Sequence, residues 1–332
     1  MKRLAAWAFS IWASAGIAAA SCGGSNLFDT MPQDQRDVMI AAADAAPFPT
    51  GNLWEARSGT TRITIVGTVH VADPRNALLL DRVWPRIAEA DLVVLEGLQA
   101  DMKDMARVFA ESPEIAFIME GEALRDMLTP DEWALMRQEM VARGVPGFLA
   151  GRMQPWLAIT TLALPACVLA QGESGIRGLD ALIEDLARDT LVPVQGLEDY
   201  TILLEIFDQF SEEELVDFLR ATLLITPYAE DIHATTLDSY FAGQHRLLWE
   251  FGRYWMPEDL EDQFDLDAMQ ALYTRIEEVM LASRNRDWID YLLGLPEGGS
   301  IVLAVGAAHL SGPDGVLDLL DRAGYALTEI TD

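Results

Sequence analysis

Arg62-Ile63-Thr64-Ile65-Val66-Gly67-Thr68-Val69-His70 is the stretch that decides the fold of this chain. Its first five residues are mostly β-branched and read as a short strand. Gly67 allows the backbone to turn sharply, and His70 then stands at the carboxyl end of the strand. Asp73-Pro74 marks a turn, and Asn76 to Glu89 has the amphipathic spacing of a helix, kinked or ended early by Pro85. Asp91 to Leu95 is a second apolar strand, running into Glu96-Gly97. Strand, helix and strand at this spacing form a βαβ unit and call for a parallel sheet.

The chain closes on the same pattern. Ile301 to Val305 is a strand, Gly306-Ala307-Ala308-His309 follows, a helix runs to Arg322, and a last strand lies between Tyr325 and Ile330. The motif Val-Gly-x-x-His-x-x-x-Pro therefore occurs twice, from Val66 to Pro74 and from Val305 to Pro313. An old duplication and two solutions to one geometric problem both fit it, and the match is too short for a repeat array.

Between these ends the pattern is helical. Thr129-Pro130-Asp131-Glu132 is a helix start and Gly144 its stop. Trp156 to Leu169 is a buried helix broken at Pro165. Leu179 to Asp189 is amphipathic. Leu191 to Gln195 is a short strand leading to Gly196-Leu197-Glu198, and Pro193 assigns it to a sheet edge. Ser211 and Glu214 form a capping box. The predicted fold is α/β, with a mostly parallel central sheet, flanking helices and a large helical middle section over about 100–295. A signal segment over 1–22 and a tether and linker over 23–52, with a leading helix from Gln33 to Ala45, precede a domain over 53–332.

The 332 residues suffice for a real core, and 51% are apolar, which excludes a disordered chain. The net charge of −30 repels nucleic acid and anionic membranes, and no basic block offsets it. Lys2 and Arg3 followed by the apolar run to Ala20 resemble an export signal too short to span a membrane. Two cleavages fit. Ala18-x-Ala20 suits an ordinary signal peptidase, whereas Ala19-Ala20-Ser21-Cys22 resembles a lipoprotein box without its usual Leu. Lipidation at Cys22, with Gly23 to Asn26 as a flexible tether, is the expectation carried forward. It makes the chain a periplasmic or envelope lipoprotein that meets the membrane only through the anchor. A Cys22–Cys167 disulfide is the alternative, although Cys167 lies in an apolar stretch that suits a buried thiol.

Only four histidines occur, at positions 70, 233, 245 and 309. Ligands of open α/β sheets bind beyond the carboxyl ends of the strands, so His70 and His309 can face one crevice. Glu96 and Glu198 end two further strands. Two histidines with two carboxylates suit Zn, Mn, Fe or Co better than Ca or Mg, and such an ion acidifies water. One carboxylate can instead act as a general base. Each acid taken singly also reads as a helix-start charge, above all Glu198. Arg284-Asn285 either fixes a carboxylate and an oxyanion or is a solvated helix face. Asp180 is a helix cap or a partner to a ligand. His233 and His245 read as structural.

The ordered set Gly67-Thr68-Val69-His70, Leu95-Glu96-Gly97, Gly178-Leu179-Asp180, Gly196-Leu197-Glu198, Arg284-Asn285 and Gly306 to Leu310 resembles the TraB/GumN family. That family includes the Tiki proteases and is related to the erythromycin esterase and ChaN group. The resemblance covers about 53–330, except that 100–173 matches only in helical pattern. It implies a metal-dependent hydrolase, peptidase-like, with Mn or Co suggested and a peptide or protein as substrate. His70, Glu96 and His309 match its best-marked positions as metal ligands. Glu198 is then a fourth ligand or base, Arg284 steadies negative charge, and Asp180 and Asn285 support the ligands. A non-catalytic envelope protein binding a peptide, metal or haem is the alternative.

Overall fold

The computed structural model describes residues 22–199, 201–257, 260 and 266–331. Most of the expected signal segment, 1–21, lies outside the described residues. Six strands form one sheet: Leu53–Ser58 (β1), Thr61–Thr68 (β2), Leu92–Leu95 (β3), Val194–Gly196 (β4), Gly299–Gly306 (β5) and Ala326–Glu329 (β6). Their order is β4-β3-β5-β2-β1-β6. The four strands β4, β3, β5 and β2 are mutually parallel, and β1 runs antiparallel to both β2 and β6. The chain is thus α/β with a mostly parallel sheet, and β4 with its Pro193 lies at the edge.

β2 and β5 are buried along most of their length because both faces of the sheet are covered. Helices Asn76–Ala88 and Leu179–Asp189 close one face over Val66, Val93, Val302 and Ala304. Helices Ser283–Leu293 and Val316–Arg322 close the other over Ile63, Ile65, Val94 and Leu303. The helical middle section carries a core of its own around Met136, Met140, Trp156, Leu219 and Leu223.

Most local signals act as expected. Thr129 and Glu132 cap each other's backbone at the start of Pro130–Ala142, Ser211 and Glu214 do so at Glu212–Ile225, and Pro165 separates two helices. Pro85 is held inside its helix. Strand β1 was not foreseen, because its burial does not alternate. A turn at Gly59, with φ of 56°, folds it back onto β2.

The βαβ unit holds with one difference. β2 and β3 are not neighbours, because the late strand β5 lies between them. Gly306 pairs with Thr68, not with Gly67, which sets the two glycine-histidine motifs one residue out of step. In a strand, one residue changes the face. The two motifs therefore reach one sheet edge from registers one residue apart.

The segment expected as a tether packs down. Gly23 N–H donates to Glu230 and Ser25 N–H to Asp231, each over 2.8 Å, while Met39 of helix Gln33–Asp44 is fully buried. Cys22 is joined to Cys167 by a disulfide, and both sulfurs lie in an apolar cluster with Val168 and Leu237. This corrects two expectations. Cys167 is not a thiol, and a sulfur already bonded to Cys167 cannot also carry a thioether-linked lipid. No helix among the described residues is long and apolar enough to cross a membrane.

Candidate active site

The carboxyl ends of four parallel strands deliver one residue each. His70 follows β2, Glu96 follows β3, Glu198 follows β4 and His309 follows β5. The insertion of β5 between β2 and β3 brings His309 beside Glu96. His70 Nε2 lies 3.8 Å from one Glu96 oxygen, and His309 Nε2 lies 3.8 Å from the other. Arg284, Asn285 and Trp288 arrive from helix Ser283–Leu293, on the face turned to the strand ends.

Arg284 occupies the centre. Its Nε and Nη2 donate to the two oxygens of Glu198 over 2.8 and 2.5 Å, and Nη2 also donates to Glu96 Oε1 over 2.6 Å. Its Nη1 donates to the Met280 carbonyl over 2.8 Å. Met280 sits in a π-helical turn, Glu278–Ala282, a local widening that the helical pattern in the sequence does not announce. Trp288 Nε1 donates to Glu198 over 2.8 Å, and its ring packs against that of His309 with centroids 4.4 Å apart. Trp288 was not among the expected site residues. Its place four residues after Arg284, on the same helix face, was the available signal.

Each histidine is oriented from behind. His309 Nδ1 lies 2.7 Å from Asn285 Oδ1, and the Asn285 amide donates to the Asp314 carbonyl over 2.9 Å. His70 Nδ1 lies 3.4 Å from Asp180 Oδ2. Gly178 permits that approach, since a Cβ there would fall 1.9 Å from the Val69 carbonyl oxygen. Acceptors beside both Nδ1 atoms turn both Nε2 atoms towards Glu96, and His309 Nε2 also lies 3.4 Å from Arg284 Nη1.

Electrostatics separate the two rings. His70 leaves 57% of its side chain exposed towards the cavity. The surrounding protein disfavours charge on it, but the Asp180 hydrogen bond and the charges of Glu96 and Asp180 outweigh this and raise its pKa to about 9. Burial lowers that of His309 to about 3, with Arg284 and His70 adding to the effect. Burial alone would raise the Glu96 carboxyl, yet His309, His70 and Arg284 hold it far below the ordinary carboxylate range. His245 is buried against the Gly51 carbonyl, away from these groups, and His233 is also remote from them.

Gly306 supplies a test of whether these residues fit a metal. A Cβ built on it would lie 3.2 Å from His70 Nε2, 3.4 Å from Glu96 Oε2 and 3.6 Å from His309 Cδ2. Two imidazoles and a carboxylate thus surround one space that only a glycine leaves open. Among the described residues, no three such side chains are already close enough to hold an ion as they stand. The 3.8 Å separations would have to close to about 3.4 Å, the ligand–ligand edge of a tetrahedral site with 2.1 Å bonds. His70, Glu96 and His309 supply the nitrogen and oxygen donors a divalent ion takes, although the two 3.8 Å separations run to different oxygens of Glu96. Both oxygens of Glu198 are held by Arg284, and one also by Trp288, whereas Glu96 takes Arg284 on one oxygen and the Gly306 N–H on the other.

The site forms the floor of a cavity of about 670 Å³ walled by the helical middle section. Comparison with protein families gives a match to the TraB/PrgY/gumN model over residues 52–329. The chain belongs to the TraB/PrgY/gumN family. The match spans the whole sheet and every residue of the site, and it begins after the segment stapled by Cys22. Comparison with curated proteins gives no match.

Proposed function

We propose that this TraB/PrgY/gumN chain is an exported, metal-dependent hydrolase acting on the carbonyl of a peptide or related amide. The observation that carries the reading is the convergence of His70, Glu96 and His309 on the open face of Gly306, beside the Arg284 guanidinium. Mixed nitrogen and oxygen donors suit Mn, Co, Zn or Fe. When bound, such an ion supplies Lewis acidity, polarising the carbonyl and making a water more acidic.

The chain's own residues do the rest. Asp180 and Asn285 hold the two rings in place. Glu198 and Trp288 fix Arg284, whose charge steadies the oxyanion as the carbonyl is attacked. The apolar walls limit water, which strengthens every charge at the floor. Export is supported by the Cys22–Cys167 disulfide, since such bonds persist in oxidising compartments, and by the basic and apolar start of the chain.

The test is metal content and turnover on the same samples. Purified protein is stripped with chelator, reloaded with Mn or Co, and offered a peptide library. The expected result is one ion per chain and cleavage that chelator abolishes, with both lost in His70→Ala and His309→Ala. Full occupancy in both variants refutes the ligand assignment. Stoichiometric metal with no cleavage of any peptide or amide supports the sequestering protein instead.

A further inference from the structure

The cavity above the floor divides sharply by chemistry. Side chains that carry charge in its lining, His70, Glu96 and Arg284, stand at the floor. The walls are apolar and aromatic, with Ile206, Phe218, Ile225, Leu248, Trp249 and Met280 from four separate helical segments. His245 also lines it, and burial lowers its pKa to about 4, so it is neutral there. Three hydroxyls of the lining are turned away, while the Tyr273 phenol also stands in the wall. Thr222 donates to the Phe218 carbonyl, Thr236 to the Ile232 carbonyl and Tyr240 to the Gly67 carbonyl, each over 2.8 Å. Trp249 Nε1 and His245 Nδ1 are wall atoms that stay unpartnered among the described residues, and Thr68 Oγ1 is another polar atom without a partner, at the floor end.

A peptide long enough to fill this space would bring an N–H and a carbonyl at every residue. One indole, one imidazole nitrogen and two hydroxyls cannot satisfy them all, and unpaired buried amides oppose binding. A hydrocarbon chain makes no such demand and gains from every methylene buried. At the floor Arg284 is set against Glu96, Glu198 and Asp180, so a neutral carbonyl suits it better than a free carboxylate.

We infer that the cavity takes a long aliphatic acyl chain, and that the substrate is a long-chain N-acyl compound such as an acylated peptide. The inference rests on the hydrolase reading for the reaction but not for binding. In that reaction the oxygen of water bonds to the acyl carbon and the carbon–nitrogen bond breaks. The amine leaves with a proton from water, and the fatty acid departs. The acyl tail lies along the walls with its carbonyl at the floor, and the amine side points to solvent.

The experiment measures binding apart from turnover. N-methylamides of ω-bromo fatty acids of increasing length are titrated into the full mature protein, with quenching of tryptophan fluorescence as the signal. Trp249 and Trp255 both line the cavity. Affinity is expected to rise about fourfold per methylene until the cavity is full. Ala221→Trp, which fills the cavity from the wall, should abolish that rise, and Ile225→Ala should extend it to longer chains. A flat response to chain length, or tighter binding of a capped trileucine peptide, overturns the acyl assignment. If the rise is seen but no amide is cleaved in the wild type, the hydrolase reading fails while the acyl site stands. If only short acyl amides are cleaved, the reverse holds.

Discussion

Arg284 grips Glu198 fork to fork, with Nε on one oxygen over 2.8 Å and Nη2 on the other over 2.5 Å. A bidentate pair of this kind fixes the guanidinium plane as well as its charge. The carboxylate at the end of β4 is thereby a holder of Arg284, and Arg284 is the group that faces Glu96.

This gives a separation of roles that metal analysis can read. Glu198→Gln keeps the shape but loses the charge that holds Arg284. Turnover is expected to fall about 10- to 100-fold while the metal stays stoichiometric. Loss of metal in this variant would return Glu198 to the ligand set.

Gly306 is the most economical place to disturb the site. Its φ of −50° and ψ of 134° are ordinary for alanine, so the backbone tolerates the change. The added Cβ enters the space between His70 and Glu96. Gly306→Ala should keep a wild-type urea unfolding curve and bind metal at least about tenfold more weakly. Calorimetric titration with Mn or Co checks this, and undiminished affinity would place the ion elsewhere.

His245 couples the fold to pH. Its folded pKa of about 4 lies below the ordinary value of 6.5 because burial disfavours the charged ring. The unfolded state therefore binds the proton more readily, and stability present above pH 6.5 is lost as pH falls towards 4. The full effect is about 3 kcal/mol for this one group. Urea unfolding of wild type and His245→Asn at pH 7.5 and 4.5 isolates it, since the variant should show a shallower acid loss. Parallel loss in both proteins would remove His245 as the cause.

The disulfide joins positions 145 residues apart and holds the amino-terminal segment against the helical section. Cys167→Ser should cost on the order of 2–5 kcal/mol, with proteolysis opening first over 22–45. Mass spectrometry of the exported wild type is expected to find Cys22 bonded to Cys167 and without a diacylglyceryl group. A lipid on Cys22 would exclude the bond.

Much of this molecule was written locally. Apolar runs announced β2, β3 and β5, capping residues announced the helices at Pro130 and Glu212, and Pro193 announced an edge. Those signals act within a few residues, so one chain segment suffices to carry them. Position at a strand's carboxyl end was legible for the same reason, and it marked His70, Glu96, Glu198 and His309. Strand order was not legible. The placement of β5 between β2 and β3 depends on which apolar faces bury together, and no segment contains that information. The same holds for Arg284, which reaches Glu96 and Glu198 across sequence separations of 188 and 86 residues. Nothing local told it from a solvated arginine. Cys22 met Cys167 in the same way, by the packing of two distant segments into one apolar cluster. Sequence by itself determined the elements and the residues at their ends. Only the tertiary structure decided which of those ends meet, because burial is shared among segments and belongs to none of them alone.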